Sequence, residues 1–520
     1  MWRVYSVMSV MLILACSKGT DEGKTDDKKT IRPEDEIKKV GLVKIPRKPG
    51  ENGEGIALPS TIGPLQKPRK DCKAPDNTWP VNDTELPSAA GIIAKGSNSL
   101  KVLRKARVYS EPDSKSELVG IIKQYSRLPI SGYSAPGKGC KKYWMNLGKH
   151  RWICGENLQG DKRSVLLRPQ PIIPKGLIVP HKYGRIRRTG AFYYPNEKAL
   201  QENKGTAEFH RGDMVQLTKF KSLGGKAYWV TGKKYLVWDD DVSGYKIPEY
   251  HGIDLRKLDI NLPVALIRAK QSGAKVFEFP GGPEKKGVKP IPHYSPRAIY
   301  DRKKIGKALY YRVSEGWILA RRVLSAWPSQ PPPGLKPCEK WIEINVSMQT
   351  LVAYEGTEPV YMAPVSTGKK KHPTKYGIFR IWAVKANSDM NSSMGASERY
   401  RVDDVPWSMF FYLGQAMHAA YWHSDFGNRK SHGCVNLTPI DARWIYNWTL
   451  PHMPDGWLEI YVDEKSPVPG TLVVVRHKYD HEVPFLRYAR KLAPPEEVKR
   501  LDDAKKARLK KQTLKLLKNK

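Results

Sequence analysis

Near its C-terminal end the 520-residue chain concentrates residue types able to do covalent chemistry, in the run from His418 through His423 to Ser431-His432-Gly433-Cys434-Val435-Asn436-Leu437. A thiol attacks a carbonyl near neutral pH only through an accessible thiolate. A neighbouring imidazole can take its proton and later return one to a departing amine. His418 ends an apolar strand and Cys434 follows a glycine turn, so the loop between them can bring the two together. Gly433 lets backbone approach closely, which makes the N–H groups around Gly433 and Cys434 candidates for an oxyanion hole. The expected chemistry is acyl transfer, with Cys434 as nucleophile and His418 as proton donor and acceptor. His423 and His432 are rivals for the base. Ser431 and Asn436 are expected to orient the loop by hydrogen bonds. Tyr421 and Trp422 either line a substrate groove or pack in a core. Arg399 and Trp407 fall in a longer insert before His418, read here as a lid.

These residues need a scaffold, and strands supply it. Trp341–Ser347 alternates apolar and polar residues, and Thr350–Tyr354 follows after a short turn. Val360–Gly368 and Gly377–Val384 continue the pattern, which predicts an antiparallel sheet or sandwich. Together with Pro364-Val365-Ser366-Thr367-Gly368, the histidine, loop and Ser-His-Gly-Cys block closely resembles the YkuD-type L,D-transpeptidase catalytic domain, over about Lys340 to Val462. One departure is Pro373-Thr374-Lys375-Tyr376-Gly377, where that family more often has Thr-Pro before the glycine; it puts the local loop geometry in question. The resemblance assigns His432 to shaping the cysteine turn. It also implies a substrate, a peptidoglycan stem tetrapeptide that loses its terminal D-alanine to form a thioester on Cys434. An amine from a second stem would give a cross-link, water a carboxypeptidase, and a protein lysine a wall-attached protein. The competing reading is a wall-binding scaffold with a degenerate catalytic domain, against which the intact His418 and Cys434 speak. No cofactor and no metal are expected.

Three looser units precede this domain, each an aromatic strand, a Pro/Gly loop and a closing pair of strands. They run over about 97–160, 175–245 and 262–327, opening at Ala106–Pro112, Ala191–Pro195 and Ala274–Pro280. They resemble bacterial SH3-like domains, which implies small β-barrels that either bind the wall or space and brace the enzyme; core packing alone accounts for such aromatics. A Pro-rich linker, 328–339, expected to be extended with no core of its own, leads to the catalytic domain at 340–463. The segment 464–520 reads as a basic tail, with a basic amphipathic helix on an anionic surface as the alternative from about Pro494 onward. The whole is expected to be mainly β.

The start has one early cation, Arg3, then an apolar stretch too short to span a bilayer, ending at Ile13-Leu14-Ala15-Cys16. That end resembles a lipobox, which implies a signal peptide at 1–16 and lipidation of Cys16; cleavage elsewhere or an uncleaved anchor are the alternatives. The polar stretch within 17–96 reads as a tether to an exported, periplasm-facing lipoprotein, on an outer membrane if the cell has one. Removing Cys16 and Cys434 from the six cysteines leaves Cys72, Cys140, Cys154 and Cys338, an even set that suits two disulfides. Cys140 with Cys154, in neighbouring strands, leaves Cys72 with Cys338. The net charge of +38 is spread along the chain rather than gathered in a patch, so no nucleic-acid partner is expected. The expected partners are stem peptides and, through the lipid, a membrane. Cys16→Ser should move the protein from the membrane fraction to soluble or uncleaved forms; unchanged mature mass and fractionation would remove the lipoprotein expectation.

Overall fold

The computed structural model describes residues 86, 88, 91–148, 150–269, 272–392, 399–477 and 482–518. Cys16, the tether and Cys72 lie outside them. The described chain is mainly β, with one well-buried helix, Pro439–Trp448, and a long C-terminal helix, Pro495–Lys518. No helix among the described residues is long and apolar enough to cross a membrane.

The C-terminal domain is a sandwich. One sheet has six strands in the order Ile253–Asp254, Glu358–Pro364, Thr350–Glu355, Lys340–Asn345, Leu472–Arg476 and Gly377–Arg380. Lys340–Asn345 and Leu472–Arg476 run parallel, and the remaining pairs are antiparallel. The facing layer holds the long hairpin of Ala383–Asn391 and Arg401–Tyr412, then Gln415–Ala419 and Val435–Leu437. Side chains alternate across a strand, so Ile342 and Ile344 face the interior with Met409, Phe411, Met417 and Val435. Trp341, Val352, Tyr354 and Met362 take the opposite face, where Val264, Leu266 and Leu324 of the third module meet Phe485 and Leu501 from the chain's end. Burial on both faces explains why these strands read as nearly continuous apolar runs. Thr438 starts the buried helix by accepting a hydrogen bond from the Asp441 N–H, with Pro439 in the first turn.

Three expectations change. The segment 464–520 is not simply a tail, because Leu472–Arg476 is a buried inner strand of the sandwich and two helices follow it. Its apolar run was outweighed in the sequence by the lysines around it. The linker does not stand off in solvent: Arg476 Nη2 donates to Ser329 Oγ at 2.8 Å, and Leu335 packs on the outer face of the sheet. The upstream modules contain short antiparallel sheets, but no closed barrel is found among the described residues. In the first two modules strands pair outward instead. Leu118–Ile122 of the first module pairs with Trp457–Tyr461, which in turn pairs with the long hairpin. Met214 of the second module pairs with Val402 of that same hairpin. The first two modules thereby extend that layer, whereas the third keeps its strands in two small sheets of its own. Cys140 and Cys154 form a disulfide with Cα atoms 5.6 Å apart. Cys338 is also disulfide-bonded, and the partner expected for it, Cys72, is outside the described residues.

Trp457 belongs to the core of the first module, with Val108, Ile122 and Ile153. A Cβ on Gly120 would lie 2.4 Å from both the Trp457 ring and the Glu459 carbonyl. Gly120→Ala should therefore overpack this junction and destabilise the protein by about 1–3 kcal/mol, read as a lowered midpoint in urea. An unchanged midpoint would mean that the junction yields freely.

Candidate active site

Gln415–Ala419 and Val435–Leu437 lie side by side in parallel, with Met417 opposite Val435, His418 opposite Asn436 and Ala419 opposite Leu437. Cys434 immediately precedes the second of these strands, so it sits at the end of the ladder next to the strand that carries His418. His418 is 1% exposed. Its Nδ1 lies 3.0 Å from the Ala419 carbonyl, which can only accept, so Nδ1 carries the proton and Nε2 keeps a lone pair. Burial pushes its pKa down to about 4, against a smaller upward pull from that carbonyl. At neutral pH the ring is uncharged and able to take a proton. Trp422 stacks on it with centroids 5.7 Å apart.

Cys434 is partly exposed, and it is the one cysteine among the described residues that is not in a disulfide. Its thiol donates to the Gly414 carbonyl at 3.6 Å, in the hairpin turn that leads into the histidine strand. The cysteine turn is tightly tied. Ser431 Oγ donates to the Cys434 carbonyl and accepts from the Gly433 N–H at 3.1 Å. Gly433 has φ +119°, and a Cβ there would sit 2.7 Å from Gln415 Nε2, so only glycine fits without strain. Because its N–H is given to Ser431, Gly433 does not offer the oxyanion donor expected of it in this conformation.

Two supporting residues escaped the sequence reading. Thr374 Oγ1 donates to the Gly433 carbonyl at 2.9 Å and accepts from the Gly368 N–H at 3.0 Å. Gln415 accepts from the Lys375 N–H at 2.9 Å and donates to the Pro373 carbonyl at 3.2 Å. The Pro373–Gly377 departure thus places a hydroxyl directly against the cysteine turn. That segment was visible in the sequence as unusual, whereas nothing marked Gln415.

The other candidates separate clearly. Asn436 Nδ2 lies 2.9 Å from His423 Nε2, so His423 is engaged with the strand beyond the cysteine rather than with the turn. Burial pushes its pKa down to about 4, with Lys430 acting in the same direction. His432 stacks on Tyr400 at 4.7 Å and lies 4.8 Å from His372, forming an aromatic wall beside the turn. Tyr400 comes from the returning arm of the long hairpin, so the insert does reach the site. Arg399 is exposed there, but the lid reading fails for Trp407. It is buried in the sandwich core with Met409 and Phe411, on the inward face of one strand. Tyr421 is fully buried, stacked on Tyr183 at 3.7 Å and donating to the Asp403 carbonyl at 2.8 Å. It therefore lines no open groove; Trp422 remains at the site as the ring over His418.

Residues 339–475 match the family model of YkuD, the L,D-transpeptidase catalytic domain. This stretch of the chain is a domain of that family. Relatives include L,D-transpeptidase 2 of Mycobacterium tuberculosis, 30% identical over 136 residues, 25% of this chain and 31% of the relative. L,D-transpeptidase 1 of that organism is 28% identical over 115 residues, 20% of this chain and 44% of the relative. The chain thus spans well under half of either one. Among solved structures, an L,D-transpeptidase from Mycobacterium smegmatis is 16% identical, with 50% of this chain and 99% of that one covered at a TM-score of 0.22. The catalytic domain of the E. faecium L,D-transpeptidase is 20% identical, covering 27% of this chain and 98% of that one at a TM-score of 0.20. Scores this low say nothing about the arrangement of the whole chain.

Thr374→Val keeps the shape of the side chain but strands the Gly368 N–H and the Gly433 carbonyl. Leaving buried groups unpaired costs about 1–3 kcal/mol each, so the variant should melt lower and its Cys434 should react with iodoacetamide at a changed rate. A wild-type melting curve together with a wild-type alkylation rate would show that this hydroxyl does not hold the turn.

Proposed function

We propose that the protein is an L,D-transpeptidase acting on peptidoglycan stem peptides through a thioester on Cys434. What carries the reading is the pairing of the His418 and Cys434 strands, inside a domain of the matching family. In the proposed reaction the Cys434 thiol gives its proton to His418 Nε2 while Sγ attacks the carbonyl carbon of the third stem residue. The bond to the terminal D-alanine nitrogen then breaks, and that nitrogen leaves with the proton from His418. A second amine attacks the thioester, forms the new amide and returns the proton to sulfur. A neutral His418 suits this order, because the ring must accept before it donates. Burial of the ring also keeps competing water away from the base.

The acceptor in this proposal is the side-chain amine of a neighbouring stem, with water or a protein lysine as the other outcomes of the same thioester. Export and lipid anchoring at Cys16 belong to the proposal too, and are motivated by Leu14-Ala15-Cys16 and the polar stretch behind it. The scaffold alternative is disfavoured by the ordered hydrogen bonding of the cysteine turn and by the lone pair kept on His418.

With tetrapeptide stems as substrate, Cys434→Ala should abolish D-alanine release and the acyl-enzyme mass while the fold persists. His418→Ala should lose on the order of 10²–10⁴-fold in rate, and His423→Ala far less. Since His418 titrates near 4, it is neutral above that pH and protonated below it. The acid limb of D-alanine release should therefore fall near pH 4 rather than near the ordinary histidine value of about 6.5. Mass spectrometry of the products names the acceptor. Full D-alanine release by the Cys434→Ala variant would sink the proposal.

A further inference from the structure

We propose that the second and third modules are working parts of the active site. In this reading Tyr183, Tyr294 and Arg268 are positioning residues, which hold the loop between His418 and Cys434 and keep Trp422 against the His418 ring. The inference rests on the acyl-transfer roles given above to His418 and Cys434.

The loop, residues 420–433, has neither helix nor strand of its own beyond a single bridge at Ser431. Its inner side is tied to the sandwich: the Gly427 N–H donates to the Val365 carbonyl, and the Lys430 and Ser431 N–H groups to that of Thr367. The carbonyls on its outer side are served by other parts of the chain. Tyr250, in the connection after the second module, donates to the Ser424 carbonyl at 3.1 Å. From the third module, Tyr294 donates to the Phe426 carbonyl at 3.0 Å and Arg268 Nη1 to that of Gly427 at 3.0 Å. The two tyrosine rings stack at 4.1 Å, and Tyr250 meets Phe426 edge-on. Leu324 of the third module presses close enough to Gly427 that a Cβ there would lie 2.9 Å away, at φ +90°.

The second module grips the other end of the loop. Tyr183 stacks on Tyr421 with planes 17° apart and donates to the Asp404 carbonyl at 3.0 Å. Tyr421 in turn stands edge-on to Trp422, and Trp422 stacks on His418. A contact chain therefore runs from the second module to the catalytic imidazole through three stacked or edge-on rings. Around it, Lys233 pairs with Asp389 and Asp403, and the Arg401 guanidinium lies over the Tyr193 and Phe209 rings, which fixes the long hairpin to the same module. Buried as they are, Tyr250 and Tyr294 stay protonated donors across the working range, the latter pushed up to about 12. A domain cut at its family boundary would lose every one of these outer contacts.

Full-length variants test this. Tyr183→Ala removes the stack on Tyr421, Tyr183→Phe keeps the stack and loses the bond to Asp404, and Tyr294→Phe keeps the ring but removes the hydroxyl that meets the Phe426 carbonyl and Tyr250. Misplacement of about 1 Å can cost on the order of 10²-fold in rate. Tyr183→Ala should accordingly lower kcat for D-alanine release by roughly tenfold or more with KM little changed, and Tyr183→Phe should restore most of it. The His418 ring, followed by NMR titration, should move from near 4 toward the ordinary value in Tyr183→Ala and not in Tyr183→Phe, because its burial is what holds it low. If Tyr183→Ala does not fold, Tyr294→Phe decides: losing a buried hydrogen bond lowers its melting temperature, and kcat per folded molecule should fall as well. Wild-type kcat and a wild-type His418 titration in the folded variants would overturn the inference, as would losses that only track the folded fraction. Should the wild type release no D-alanine, the substrate reading fails, and the titration still decides the clamp.

Discussion

The constraint on which the rest of this structure depends is one parallel pairing, Gln415–Ala419 against Val435–Leu437. Neighbouring parallel strands need a crossover of a dozen residues or more. Here the crossover is an irregular loop without a ladder of its own, so the carbonyls of Ser424, Phe426 and Gly427 and the N–H groups of Gly427, Lys430 and Ser431 are met from outside it. Val365, Ser366 and Thr367 meet one side, with Ser366 exchanging two backbone bonds with Asn436. Tyrosines and an arginine from the upstream chain meet the other. A buried polar group left unmet would cost as much as several good contacts supply, so the pairing of histidine and cysteine and the docking of the modules are linked problems.

The same logic reaches the six-stranded sheet. Apolar on both faces, it cannot be half exposed; one face closes against the active-site layer, and the other needs the third module and the C-terminal segment. The first and second modules attach differently, by extending the strands of the catalytic layer at Trp457–Tyr461 and Arg401–Tyr412. Edge strands that pair in this way are no longer available for aggregation or for barrel closure. The two architectures compete for the same hydrogen bonds, and outward pairing prevails.

Electrostatics follow from packing. In a chain with 90 basic and 52 acidic residues, His418 is kept neutral chiefly by desolvation and not by an acidic partner. A carbonyl, that of Ala419, sets which nitrogen carries the proton. A carboxylate in that place would raise the pKa and favour the charged ring at rest.

Much was legible in the residues themselves. Ser431-His432-Gly433-Cys434 and His418 marked out the candidate site, alternation at Trp341–Ser347 named a strand, and Cys140 and Cys154 named a disulfide, because each signal is local. Other features needed the third dimension. Trp407 and Tyr421 look like site residues in one dimension and are core residues in three, since only the sandwich decides which face of a strand is inside. Leu472–Arg476 was hidden in a basic segment, and its place beside Lys340–Asn345 is a pairing between ends of the domain far apart in sequence. Thr374 and Gln415 carry no motif, and their value arises where two loops meet at Gly433. Sequence alone picked out the candidate reacting atoms. Tertiary structure decided the protonation of His418, the closure of the cysteine turn and the reach of the upstream modules, because burial and backbone pairing are properties of neighbours that the chain order does not reveal.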